Sequence, residues 1–282
     1  MDEVDSNLLE NYRLSTFYSH AGSPLQNIEQ ALQYVEVRRF VFLWPVKGID
    51  LPSLWSATAG NRPVVSEHDD PGHVTWGWKD SMLDKRQWYY GKLLRGKATF
   101  VSLKTIAYFY ALSDRVGDLD DYALAYDDGN LTWEEKSIGD ALLKHGALNT
   151  IELRRQSKLA VRGAKSRFDS AIASMQRGLW VIPIGISEAG AWKYAFRYEL
   201  FDRWLPDVVK LARSISIADA TKELTSHYLD SVGAADIKGI AKLFRWKSVH
   251  VQGALSRLAD EKRASILKDG RWVTSKLEAM KI

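Results

Sequence analysis

Apolar positions along this chain recur with two different periods, and the changes of period mark its elements. In "NIEQALQYVEVRR" the residues Ile28, Ala31, Leu32 and Val35 fall at i, i+3, i+4 and i+7, one stripe of a helix. The next run, "FVFLWPVKG", is apolar at successive positions until Pro45 and Gly48, which predicts a buried strand ending in a turn. "KATFVSL" predicts a further strand, and "SLKTIAYFYALSD" a helix with Ser102 as its cap. "YALAYDDGNLTW" reads as a short hairpin turning at Asp128-Gly129. Thr132 followed three residues later by Glu135 is a capping box. The helix it opens carries Ile138, Leu142 and Leu143 and stops at Gly146.

Two later stretches repeat one plan. "GALNTIEL" begins at Gly146 and "GAADIKGI" at Gly233; each has an Asn or Asp three residues on (Asn149, Asp236), where a helix N-cap would lie, and an apolar residue seven on (Leu153, Ile240). Each leads to a longer helix, "KSRFDSAIASMQRG" or "WKSVHVQGALSRLADEK", and then to a hairpin. The first hairpin turns at Glu188 to Gly190 and the second at Asp269-Gly270. Three helices followed by a β-hairpin is the winged helix-turn-helix plan, with the third helix as reader and the hairpin as wing. The expected fold class is therefore α+β: tandem winged helix-turn-helix domains, mainly helical with β-hairpin wings. Length alone, 282 residues, suggests roughly two domains of ~150 residues. The repeat divides the chain further. Residues 1–120 form a divergent winged-helix-like domain with a Trp-rich loop, 121–205 a winged-helix domain, and 206–282 a C-terminal winged-helix domain, with Pro206 as the break between the last two.

Composition narrows the function. Apolar residues make up 46% and charged residues 26%, the proportions of a soluble globular chain. There is no cysteine, which excludes disulfides, thiol nucleophiles and zinc ribbons. The acidic start "MDEVDSNLLENYR" does not read as a signal peptide, and no apolar run is long enough to span a bilayer. A cytoplasmic protein with no membrane partner is expected, with a monomer favoured. Phosphate loops, dinucleotide fingerprints and Gly-x-Ser-x-Gly elbows are all missing, and no cofactor is expected.

Net charge is only +4, so the placement of charge matters more than its sum. "RRQSKLAVRGAKSR", which leads into the first reading helix, brings Arg154, Arg155, Lys158, Arg162, Lys165 and Arg167 with no acid until Asp169. The second copy opens with Lys242, Arg245, Lys247 and His250 around Trp246. Lys193 and Arg197 sit in the first wing, Lys268 and Arg271 in the second. One such run is usually a solvated face. Basic clusters on two successive reading helices point to double-stranded DNA, with a salt-dependent affinity from counterion release.

The densest chemistry lies in "SEHDDPGHVTWGWKD", residues 66–80. Asp70-Pro71-Gly72-His73 fits a type II turn, and Trp76 and Trp78 would share one face of a strand. Two of the tryptophans, with Trp44, are candidate ligand faces, against the plainer reading of a Trp-rich core that 11 tryptophans allow. His68 and His73 are five apart, which matches no standard zinc spacing, so no metal is expected.

The passages "YDDGNLTWEEKSIGDALLKHGALNTIEL", "SRFDSAIASMQRGLWVIPIGISEAGAWKYAFRYEL" and "TSHYLDSVGAADIKGIAKLFRWKSVHVQGALSRL" resemble the AlkZ/YcaQ family of tandem winged-helix DNA glycosylases, over most of the chain from about residue 28. The resemblance implies excision of N7-alkylated purines and unhooking of crosslinks made from them. It also implies a Gln-x-Gln or Gln-x-Asp pair on the strand after the first helix. Here that region reads "RRFVFLWPVKGIDLPSLW", with neither Gln nor Asp in Phe42 to Pro45; Asp50 is the nearest acid. An N7-alkylguanine is cationic, so a carboxylate and aromatic faces suit its release. Asp69 or Asp70 then becomes the candidate catalytic carboxylate, with Glu67 behind them, and His68 or His73 the residue that orients it or contacts phosphate. Trp44, Trp76 and Trp78 become candidate base-binding residues. Two readings stand: a divergent DNA glycosylase, or a non-catalytic winged-helix DNA-binding protein acting as a transcriptional regulator or damage sensor.

Overall fold

The computed structural model describes residues 5–19, 24–113 and 115–280. One wiring diagram occurs three times in it. The first occurrence runs, after an N-terminal helix α1 (Ser6–Phe17), through α2 (Ile28–Arg38), β1 (Phe40–Phe42), α3 (Leu54–Ala59), α4 (Val74–Met82), β2 (Tyr89–Lys92) and β3 (Ala98–Val101). Two connecting helices follow, α5 (Leu103–Ala111) and α6 (Asp121–Asp127). The second occurrence is α7 (Trp133–His145), β4 (Leu148–Asn149), α8 (Thr150–Gln156), α9 (Lys165–Arg177), β5 (Val181–Ser187) and β6 (Ala195–Leu200). After α10 (Phe201–Trp204) and α11 (Pro206–Ala212), the third is α12 (Ile217–Val232), β7 (Ala234–Ala235), α13 (Ile237–Phe244), α14 (Ser248–Asp260), β8 (Ala264–Ile266) and β9 (Trp272–Thr274). A short α15 (Ser275–Ala279) ends the described chain.

Each unit folds its three strands into one antiparallel sheet with the last strand in the centre: β1-β3-β2, β4-β6-β5 and β7-β9-β8. This is the winged-helix arrangement. The N-terminal region thus repeats the plan as well, with a long insertion between α3 and α4. None of the described helices is long and apolar enough to cross a membrane.

Local chemistry explains the boundaries. Thr132 accepts from the Glu135 amide while the Glu135 carboxylate accepts from the Thr132 amide, the reciprocal capping box. Asn149 and Glu152 make a second one, and Asp236 accepts from the Gly239 amide at the head of α13. Ser102 stands at the head of α5 as expected, but its hydroxyl donates to the Thr105 hydroxyl and caps no backbone amide. The hairpin expected at Asp128-Gly129 is absent. Residues 121–127 are helix α6, and Gly129, at φ +75, serves as its C-terminal break. The reason is tertiary: Tyr122 is buried directly over Gly139 of α7, where a Cβ would lie 2.6 Å from the ring.

The apolar run "FVFL" is buried on both faces of its strand. Phe40 and Phe42 face the largest core cluster, which extends to Leu255 and Trp272 of the third unit; Val41 and Leu43 face the core of the first unit. The units are also pinned by polar contacts. The Gln176 side chain, at the end of α9, accepts from the Lys92 amide at 3.1 Å, which buries the C-terminal end of that helix and leaves its start exposed. From α1, the Tyr12 hydroxyl donates to the Asp230 carbonyl at 2.7 Å, docking the N-terminal helix on the third unit.

One buried cluster joins the connectors. The Arg115 guanidinium donates to both oxygens of Asp121, to Asp202 and to the Leu179 carbonyl, and lies 4.0 Å from the Trp180 ring centre. One cation faces two carboxylates here. Burial outweighs the attraction of Arg115 and pushes the Asp202 carboxyl up to about 6. A carboxyl raised in the folded state stabilises fully below its unfolded value and loses that contribution as pH rises through about 6. The wild type is therefore expected to lose on the order of 2 kcal/mol between pH 4 and pH 6.5 relative to Asp202→Asn. Urea unfolding of both proteins across that range checks it; parallel curves would contradict it.

Candidate functional site

The loop 66–80 does not adopt the turn its sequence suggests. Pro71–His73 form a single 3-10 turn, closed by the His73 amide donating to the Asp70 carbonyl at 2.9 Å, and it feeds directly into α4. Gly72 is not at positive φ, so the turn is not type II. Glycine is needed there for close approach instead: a Cβ would lie 2.8 Å from Ala59 Cβ and 2.8 Å from Trp55 Nε1. Trp76 and Trp78 are on helix α4 rather than on a strand, about 200° apart around its axis. Trp76 faces outward, while Trp78 packs against the core of the first unit.

The carboxylates expected to act in this loop, Asp69 and Asp70, do not line its cavity. Both oxygens of Asp70 accept from Arg62 Nη2, at 2.7 and 2.8 Å, and Oδ1 also accepts from the Gly72 amide at 2.7 Å. The Arg62 guanidinium, with the Gly72 amide behind it, holds the Asp70 carboxyl below the usual range. Asp70 ties the loop together. Glu67 and Asp69 are exposed and do not line the cavity described next. Asp50 is engaged by Arg13 at 3.0 Å.

Four of the expected residues do converge. Trp44, His68, His73 and Trp76, with Ser66 and Tyr194, surround a cavity of about 500 Å³. Trp44 stands just beyond β1, His73 in the 3-10 turn, Trp76 on α4, and Tyr194 on the hairpin of the second unit. The Trp44 ring centre is 5.3 Å from His73 and 6.4 Å from Trp76, and Trp76 is 6.1 Å from Tyr194. His73 Nε2 lies 3.1 Å from the Val65 carbonyl. A carbonyl only accepts, so Nε2 donates there, and the other ring nitrogen is Nδ1. That Nδ1 is buried and has no partner among the described residues.

Behind the cavity wall is a group the sequence did not announce. Lys79 is wholly buried, and its ammonium lies 4.1 Å from the Trp76 ring centre, 4.7 Å from Phe196, 5.4 Å from Tyr90 and 5.6 Å from Tyr194. It donates to Asp80 at 2.5 Å and to the Tyr194 hydroxyl at 2.8 Å, and that hydroxyl donates to Asp80 at 2.9 Å. Burial lowers the Lys79 pKa, and Asp80 opposes the shift. Lys79 is three residues after Trp76, the spacing at which helical side chains meet. That i, i+3 pair is the signal that could have found it; nothing local reveals Tyr194, 115 residues away.

The basic residues are spread over two of the units. Arg155, Lys158 and Arg162 are exposed around the α8–α9 turn, and Arg154 is half-buried near Phe168. Lys165 pairs with Asp169 at 2.6 Å and Arg167 with Glu134 at 2.9 Å. Lys193 is at the tip of the β5–β6 hairpin; Arg245 and Lys247 are exposed at the α13–α14 turn, and Arg271 pairs with Asp269 at 2.7 Å. At the same hairpin tip Trp192 is 90% exposed, the largest exposure of any large apolar side chain among the described residues.

Replacing Lys79 with Met would leave Asp80 and the Tyr194 hydroxyl without their cation. A loss of about 3 kcal/mol in urea unfolding is expected, as for other broken buried pairs. A variant as stable as the wild type would contradict the role given to this ammonium.

Comparison with known proteins extends the description. No curated protein matches the chain in sequence. In fold the chain is similar to the Streptomyces sahachiroi DNA glycosylase AlkZ, with a TM-score of 0.64 at 13% identity, covering 99% of this chain and 72% of that one. The model of the AlkZ-related family matches residues 25–245, from the start of the first unit to the end of α13 in the third. The chain belongs to the AlkZ-related family.

Proposed function

We propose that this protein binds duplex DNA, draws an N7-alkylated purine into the Trp44–Trp76–Tyr194 cavity and releases the base by hydrolysis. The observation that carries the reading is the position of that three-ring cavity. It lies at the end of β1, where the resemblance to DNA glycosylases places their catalytic pair. A purine alkylated at N7 bears a fixed positive charge spread over a planar ring. Aromatic faces attract such a ring by stacking and by their quadrupoles. About 500 Å³ accommodates one extruded base, as base-processing enzymes require.

The chemistry asks little of an acid. The glycosidic bond of a cationic purine breaks with its electron pair returning to the ring, so the base leaves neutral. Water oxygen bonds to the sugar C1′, and its proton must go to a base. The cavity lining contains no carboxylate, but it does contain the imidazoles of His68 and His73. The imidazoles therefore take the task first assigned to Asp69 and Asp70. The exposed basic residues around the α8–α9 turn, Arg155, Lys158 and Arg162, suit phosphate contacts, and Lys193 at the hairpin tip suits another. Trp192 is two residues from Tyr194, within ~7 Å along an extended chain, so a wedge at the vacated stack would lie beside the base pocket.

The lack of a lining carboxylate also favours a second reading, in which the cavity holds the lesion without cutting it. A base-release assay separates the two. A duplex with one N7-methylguanine is incubated with protein, then treated with alkali and scored for scission. The wild type is expected to release the base. His73→Ala is expected to slow release at least tenfold, and Trp192→Ala to slow release from duplex much more than from single strand. Salt-sensitive binding with no release from this or a crosslinked duplex would establish the second reading.

A further inference from the structure

A larger cavity, about 610 Å³, lies where the three units meet. Its walls come from the 94–96 turn between β2 and β3, the ends of α5 and α9, helix α6, and the α13–α14 turn. We propose that it binds a 5′-nucleotide, with the phosphate held by Arg95, Arg177 and Arg245 and the base stacked on Trp246.

Charge is the first argument. Arg115 also borders the cavity, but its guanidinium is consumed by Asp121 and Asp202. Arg95, Arg177 and Arg245 form no ion pair among the described residues. Arg95 is steered toward α13 by donating to the Lys242 carbonyl at 3.1 Å. Arg177 lies along the same turn: a Cβ on Gly96 would be 3.8 Å from its Nη1. Arginines from all three units thus border the one cavity, a gathering of positive charge that an oxyanion would satisfy. Asp128 is the one lining carboxylate without an ion pair among the described residues, and the free arginines outnumber it.

Backbone conformation is the second. Arg95 (φ 56), Leu179 (φ 57) and Arg245 (φ 61) all line this cavity and all occupy the left-handed region that favours glycine. Arg245 is the residue that closes α13, a position where glycine is the usual solution. An arginine there accepts strain to place its side chain, the pattern seen where backbone serves a ligand. The third argument is the flat surface. Phe244 covers one face of Trp246 at 4.2 Å and 12°, and the half-buried Trp246 borders the cavity. Phosphate on one side and a ring on the other describe a nucleotide, either free or at the 5′ end of a strand.

Calorimetry on the full chain tests this with deoxyguanosine 5′-monophosphate, deoxyguanosine and inorganic phosphate as probes. The monophosphate is expected to bind more tightly than either part alone. Arg177→Gln and Arg245→Gln are each expected to weaken it by about tenfold, as the loss of one charge-assisted contact does. Neither arginine is ion-paired, so unchanged melting temperatures serve as the folding control. Displacement of the nucleotide by a 5′-phosphorylated tetranucleotide but not by its 5′-hydroxyl form would assign a strand end; displacement by neither would assign the free nucleotide. No binding at millimolar probe, or affinity unaffected by the double variant, would overturn the site. Equal affinity for phosphate and monophosphate would overturn the stacking role of Trp246. None of these outcomes depends on base release at the Trp44–Trp76–Tyr194 cavity, so the two proposals fail separately.

Discussion

The Lys79 ammonium is wholly withdrawn from water, and desolvating a positive charge is among the largest unfavourable terms a fold can carry. It is tolerated because Asp80 and the Tyr194 hydroxyl satisfy it and four rings surround it. Those partners come from two different units. Trp76, Lys79 and Asp80 belong to α4 of the first; Tyr194 and Phe196 belong to the hairpin of the second. The same contact that neutralises the lysine therefore sets two walls of the candidate cavity at a fixed separation. Loosening it would free the hairpin and dissolve the cavity together.

The repeated wiring explains why sites fall between units rather than within them. In each unit the last strand is central and the hairpin projects at an edge. The hairpin of one unit meets the third helix of another: β2 packs near the end of α9, and Tyr194 of the second hairpin reaches α4. Interiors are filled by apolar side chains at near-crystalline density, which leaves little room for a ligand. The junctions are where polar groups from separate units converge, and both cavities discussed above are junctions.

Much of the fold was legible because its signals are local. The capping box at Thr132, the N-cap at Asn149, the glycines at 146 and 233, and the hairpins at 188–190 and 269–270 each depend on residues within a few positions of one another. The failures have one cause. Val74, Trp76 and Trp78 alternate like a strand, yet they lie on a helix because Trp78 serves the core and Trp76 serves the cavity, on opposite sides of α4. Asp128-Gly129 is as good a helix terminus as a hairpin turn, and burial of Tyr122 against α7 decided between them. Of the cavity's lining residues, Trp44, His68, His73 and Trp76 stood out in the sequence by residue type. Asp70 is held outside the cavity lining by a partner, Arg62, that a turn motif does not reveal, and Tyr194 went unseen because its partners are 114 and 115 residues away.

The central claim is that the Trp44–Trp76–Tyr194 cavity receives a cationic purine. The most direct measurement is the affinity of the nucleosides 7-methylguanosine, whose ring is cationic at mildly acidic pH, and guanosine for the protein, followed by ligand-observed NMR in the wild type and in Trp76→Ala. Preference for 7-methylguanosine in the wild type, lost in the variant, is the predicted result. Equal affinity for the two nucleosides, or a preference that survives removal of the Trp76 ring, would contradict it.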